Sequence, residues 1–123
     1  MEVFQINCNI ESEKFVQLAL KWIEDKQGKN TKTLDIRNQT TFADYFIITS
    51  GTSERQVSAI AQNIEYEAKK IGMEPKSVEG ERESHWILLD YYDVIIHVFY
   101  EKDREFYDLE RLWKEDLRPE KED

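Results

Sequence analysis

Residues 85–113 read HWILLDYYDVIIHVFYEKDREFYDLERLW. Two runs dense in aliphatic, β-branched and aromatic residues, His85 to Asp90 and Asp93 to Phe99, flank Tyr91-Tyr92. Such runs around a short connection predict a β-hairpin, and the segment from Arg104 to Leu117 has helical spacing. A two-residue loop at Tyr91-Tyr92 pairs Asp90 with Asp93, Leu88 with Ile95 and Trp86 with His97. The two-residue period of a strand then puts Trp86, Leu88, Asp90, Asp93, Ile95, His97 and Phe99 on one face. Ile87, Leu89, Val94, Ile96 and Val98 fall on the other. The second set is wholly aliphatic, as a helix-covered core face requires. The first mixes aromatic, carboxylate and imidazole groups, which suits a protein interface with aromatic anchors among polar groups. A second core layer beneath the terminal helix produces the same pattern. Tyr92 stands where a tight turn favours Gly or Asn. A loop of another length shifts the cross-strand pairs and leaves the alternation within each strand intact.

On the terminal helix Phe106, Leu109 and Trp113 share one side, with Leu112 beside them. Packing accounts for most of these, and Tyr107, pointing elsewhere, is the candidate outward contact. Arg104, Glu105, Asp108, Glu110 and Arg111 form a solvated face with local charge pairs.

Upstream, Phe15, Leu18, Ala19, Trp22 and Ile23 recur at helical spacing and predict a helix from Ser12 to Gln27, with Gly28 as its stop. Thr33 to Ile36 reads as a short strand and Tyr45 to Ser50 as a denser one. Val57, Ile60, Ala61, Ile64, Ala68 and Ile71 form the stripe of a second helix, closed by Gly72. Ser53 caps its start and Gln56, three residues on, completes a capping box. Lys76 to Val78 is a possible edge strand, entered after Pro75. The resulting order, α-β-β-α-β-β-β-α, is an α/β architecture with helices packed on a mixed sheet. Residues 1–117 form one domain, and residues 118–123 a charged flexible tail.

The chain has 123 residues, 40% of them hydrophobic and 12% aromatic, enough for a packed core. Its net charge of −9 disfavours wide contact with nucleic-acid phosphates, so direct DNA binding is not expected. A basic protein partner is compatible with that charge, as is plain solubility. Cys8 is the single cysteine, and no long apolar run is present; a reducing, cytoplasmic setting without membrane association is expected. Cys8, His85 and His97 match none of the usual zinc-ligand spacings, so neither a structural metal nor a cofactor is expected.

The turn Gly51-Thr52-Ser53, between a strand and a helix, invites an anion-binding reading, because backbone N–H groups at a helix N-terminus attract phosphate. It is neither a P-loop nor a dinucleotide fingerprint, and a simple helix start explains it. The order of elements also resembles that of nucleotidyltransferases, which hold catalytic metals on paired carboxylates. No Asp-x-Asp follows Ser53, and the strand ending at Asp90 carries one acid. His97 has no Ser or Cys nucleophile that the sequence can place beside it, and reads as an interface or core histidine. An enzyme is therefore not expected; a nucleotide-binding enzyme of this fold is the alternative, and a scaffold for another basic protein a third reading.

Four segments together carry a resemblance: LDIRNQTTFADYFIITSGTSERQVSAIAQNI, VEG, HWILLDYYDVIIHVF and REFYDLERLW, in this order between Leu34 and Trp113. The chain resembles the Iojap-related ribosomal silencing factors. That resemblance implies a small α/β domain related in fold to nucleotidyltransferases but lacking their catalytic carboxylates. It implies a homodimer that binds large-subunit ribosomal protein fourteen on the surface facing the small subunit. Occupying that surface blocks subunit joining and represses translation; a role in large-subunit assembly is also attached to the family. The family's conserved surface falls on Trp86, Leu88, Asp90, His97, Phe106 and Tyr107, with Trp86 and Tyr107 as anchors. Asp90 and Asp93 are the acids that could pair with a basic partner. Asp44 and the GTSERQ turn are family hallmarks that we assign to local structure. Where this chain has Asp90-Tyr91-Tyr92-Asp93 the family usually has Gly in place of Tyr92, which bears on the turn and on the aim of Asp90.

Overall fold

The computed structural model describes residues 11–103. Cys8, the helix expected from Arg104 to Leu117 with Phe106, Tyr107, Leu109, Leu112 and Trp113, and the tail lie outside these residues. The described elements are α1 (Ser12–Asp25), β1 (Lys29–Asp35), β2 (Tyr45–Gly51), α2 (Glu54–Lys70), β3 (Ser77–Glu79), β4 (Trp86–Tyr91) and β5 (Val94–Tyr100). They form one mixed sheet in the order β1-β2-β5-β4-β3. Only the central pair, β2 and β5, is parallel; β1 on β2, β4 on β5 and β3 on β4 are antiparallel.

α1 buries Phe15, Val16, Ala19, Trp22 and Ile23, the expected stripe. It stops two residues before the expected end. Gln27, not Gly28, takes the left-handed conformation (φ 62°). Gly28 serves a different need: a Cβ there would collide with the side chains of Ile23 and Thr49. β1 starts earlier than expected, at Lys29, and carries an irregularity between Lys29 and Lys32. It is an exposed edge with lysines along it, a composition that discourages pairing with a further strand. Every residue of β2 is buried, as befits a strand flanked on both sides.

α2 starts where the sequence places it. Ser53 Oγ accepts the Gln56 N–H at 3.1 Å. The Gln56 side chain does not close the box on Ser53: its Oε1 accepts from the Thr52 N–H (2.6 Å) and from Thr52 Oγ1 (3.0 Å). Its amide Nε2 donates to the carbonyls of Lys26 and Gln27, which ties the turn to the end of α1. At the other end Gly72 (φ 84°) lets the Met73 N–H reach back to the Ala68 carbonyl at 2.9 Å.

The hairpin corrects the expected register. Trp86 pairs with Phe99, Leu88 with His97, Asp90 with Ile95 and Tyr91 with Val94. The two turn residues are therefore Tyr92 and Asp93, and Tyr91 ends β4 facing the core, 2% exposed. The cause is local. Tyr92 adopts φ 71°, and the Asp90 carboxylate accepts its N–H at 2.8 Å. The Asp93 carbonyl accepts the N–H groups of Asp44 and Tyr45, which anchors the turn to the start of β2. The slip is two residues, so each side chain stays on its expected face. Asp93 alone leaves the set, because it now lies in the turn.

The sheet separates two apolar clusters. On one face α1 and α2 bury Tyr45, Ile47, Ile87, Leu89, Tyr91, Val94, Ile96 and Val98. On the other, Leu34, Ile36, Ala43, Phe46, Ile48, Ile95 and Phe99 pack together, with Trp86 and Leu88 partly buried against them. Neither described helix contributes to this second cluster.

Candidate docking face

Alternation along β4 places Trp86, Leu88 and Asp90 in a row on the second face, all half-buried, with Ile87, Leu89 and Tyr91 behind them in the core. β5 lines the row with Ile95, His97 and Phe99, all buried. The indole of Trp86 stacks on its cross-strand neighbour Phe99, centroids 4.9 Å apart and planes at 30°. Its Nε1–H donates to His97 Nδ1 at 3.1 Å. Phe46 of β2 meets the His97 ring edge-on at 4.8 Å. Thus Phe46, His97, Phe99 and Trp86 form a continuous aromatic floor across β2, β5 and β4.

His97 is 4% exposed, and burial alone pushes its pKa down to about 4. The ring is neutral at physiological pH. Because Nδ1 accepts the indole proton, the ring's own proton sits on Nε2, a buried atom without a hydrogen-bond partner among the described residues. Of the two expectations for His97, interface or core histidine, its burial is that of a core residue, and it accepts a hydrogen bond from a half-buried ring.

The structure brings Trp86, Leu88, Asp90 and His97 onto one face. Phe106 and Tyr107 lie outside the described residues. The sequence reading passed over Phe46, although the same two-residue period applied to YFIITS separates Phe46 and Ile48 from Tyr45 and Ile47. It also left two exposed aromatics out of the candidate face: Phe42 (56% exposed) and Tyr92 (57%), the latter weighed only as a turn residue. Phe42 lies 6.3 Å from Phe46, ring to ring. The signal for Tyr92 was present: a large aromatic at a tight turn has no core to enter.

His85, at the other end of β4, has a different environment. Its Nε2 lies 2.8 Å from Glu54 Oε2 and its Nδ1 2.6 Å from Asp103 Oδ2. Hydrogen bonds that it donates to Glu54, then to Asp103, raise its pKa. A neutral imidazole has one N–H, so two short contacts to carboxylates favour the protonated ring.

Asp44 and the Gly51–Ser53 turn serve local structure. Asp44 Oδ2 accepts from Ser12 Oγ at 2.8 Å, joining the first turn of α1 to the start of β2. The side chains of Thr52 and Ser53 are both bonded to Gln56, as described above. An open cleft beside it is lined by Asp25, Lys26, Gln27, Lys29, Thr52 and Gln56. Among the described residues no group of three His, Cys, Asp or Glu is placed to hold a metal ion, and no helix is long and apolar enough to cross a membrane.

A single mixed α/β domain with a two-sided sheet, one side roofed by helices and the other floored with aromatics, is the class that this architecture defines. The chain belongs to the family described as "Ribosomal silencing factor during starvation", which it matches over residues 9–123. It is 36% identical over 104 residues to "Ribosomal silencing factor RsfS" of Halalkalibacterium halodurans, covering 85% of this chain and 89% of that protein. The Bacillus subtilis protein of the same name is also 36% identical over 104 residues, covering 85% and 88%. A crystal structure of a Chromobacterium violaceum protein superimposes with a TM-score of 0.83 at 33% identity, covering 85% of this chain and 88% of that one.

Proposed function

We propose that this chain silences ribosomes without chemistry of its own. It docks on large-subunit ribosomal protein fourteen through the face built on Trp86, Leu88 and Asp90, with Phe106 and Tyr107 as further contact residues, and so blocks joining of the small subunit. The observation that carries this reading is the half-buried row Trp86-Leu88-Asp90 on an aromatic floor to which neither described helix contributes, in a chain of the silencing-factor family. An aromatic beside a carboxylate is a favourable target for Lys or Arg on a basic partner. The net charge of −9 favours a basic protein and disfavours stray contact with RNA phosphates. A bound domain of this size blocks joining simply by standing on surface that the other subunit needs. The reading places the protein in the cytoplasm and makes it a homodimer when free. Sedimentation of isolated large subunits with the protein tests it, followed by addition of small subunits. Co-sedimentation and slowed joining are expected. A protein that stays off large subunits, or leaves the joining rate unchanged, overturns the reading.

A further inference from the structure

The second face holds an arrangement that packing alone does not require. A buried imidazole stands in the middle of an apolar cluster, with one nitrogen accepting the Trp86 indole proton and the other without a partner among the described residues. An aliphatic side chain at position 97 would fill the site with no buried polar atom to satisfy, and β5 carries Ile95, Ile96 and Val98 around it. Burying an N–H without an acceptor is unfavourable. What His97 provides in return is the 3.1 Å hydrogen bond to Trp86.

We propose that His97 is a positioning residue: it does not meet the partner but fixes the indole of Trp86 in the orientation that docks. Among the described residues two contacts hold that orientation. Phe99 supports the ring from below, and His97 sets its rotation by accepting Nε1–H. His97 is itself braced by the edge contact with Phe46 on the neighbouring strand. An indole held this way loses little rotamer freedom on binding, so more of its contact energy reaches the complex. The device suits an acceptor that stays neutral at physiological pH. The described aromatic neighbours of His97, Phe46 on β2, Trp86 on β4 and Phe99 on its own strand, carry no charge that would favour protonation.

This role rests on the docking reading, and two measurements separate them. The first needs no ribosome. The indole N–H resonance of Trp86, assigned by its loss in Trp86→Phe, is recorded in the wild type, His97→Leu and His97→Asn. Asn places an amide oxygen where Nδ1 stands. We expect His97→Leu to move the resonance to the position of a water-exposed indole and to speed its exchange with solvent, and His97→Asn to restore most of the shift. The second is affinity for isolated large subunits. His97→Leu is expected to bind ~10-fold more weakly while its unfolding midpoint at neutral pH holds or rises, and His97→Asn to recover part of the loss. A Leu variant whose indole resonance is unmoved, or which binds as the wild type does, overturns the role of His97. A wild-type protein that itself fails to bind large subunits removes the docking reading and this role together.

Discussion

The two faces of one hairpin differ in what they are built to exclude. On the helix side, Ile87, Leu89, Ile96 and Val98 are 0% exposed and carry no polar atom beyond the backbone. Across the same two strands, one residue out of step, Trp86, Leu88 and Asp90 are half-buried, and the one polar ring buried among them is His97. The first face is held together by excluded water and close packing. The second accepts a buried imidazole and an exposed rim of Phe42 and Tyr92. A strand cannot tune one face without alternating into the other. Within the hairpin the helix side buries the Tyr91 hydroxyl, whereas the other side carries the Asp90 carboxylate and the His97 imidazole.

The largest effect should come from the helix side. Leu89→Ala removes a fully buried side chain between the sheet and the helices and is expected to cost about 3 kcal/mol. Urea unfolding measures it. A loss under 1 kcal/mol would mean that the helix face is not the tighter of the two. The next is a pH effect on the other face. The His97 pKa is depressed to about 4 in the folded state and is near 6.5 when unfolded. The unfolded chain therefore takes up the proton first. Stability is full above about 6.5 and falls by about 3 kcal/mol as pH drops through about 4. His97→Leu should flatten this window in a series of urea midpoints. His85 works in the opposite sense. With its pKa raised by Glu54 and Asp103, its contacts support the fold at low pH and fade as pH rises through its folded pKa. The slope around neutrality should change sign of response in His85→Gln relative to His97→Leu.

Trp86→Ala tests the faces by function. Docking on large subunits should weaken by about 2 kcal/mol, roughly 30-fold, with the fold retained. An unfolded variant would instead place Trp86 with the core. The smallest effect is expected at the turn. Tyr92 holds φ 71° at a position where Gly is unstrained, so Tyr92→Gly should stabilise the hairpin by about 1 kcal/mol. If that variant also docks less well, the exposed ring belongs to the partner surface.

The sequence made the faces legible because alternation within a strand depends only on the backbone. The pairing between strands depended on one turn, and there Tyr92 misled: the expected loop was Tyr91-Tyr92, and the observed one is Tyr92-Asp93. Part of the reason is tertiary. The Asp93 carbonyl is held by the Asp44 and Tyr45 N–H groups, from a strand far away in sequence. Helix stripes were readable, and so was the Ser53 cap, since both are local. The destination of the Gln56 side chain was not, because it bonds carbonyls at the end of α1. Trp86, Leu88, Asp90 and His97 lie on one face, as the two-residue period implied. Nothing in the sequence showed that His97 is buried or that it holds Trp86; the three strands that meet there supply both facts.

The parallel pairing of β2 with β5 has a consequence in time. These strands are neighbours at the centre of the sheet, yet α2, β3 and β4 are all made between them. A growing chain can form the β1–β2 hairpin and α2 early, but the slot between β2 and β4 stays empty until Val94–Tyr100 arrives. Contacts that span so much sequence slow folding and leave apolar strands waiting without neighbours. Until that last strand is in place Trp86 has no Phe99 to lie on, so a chain cut short before it should have no docking face at all.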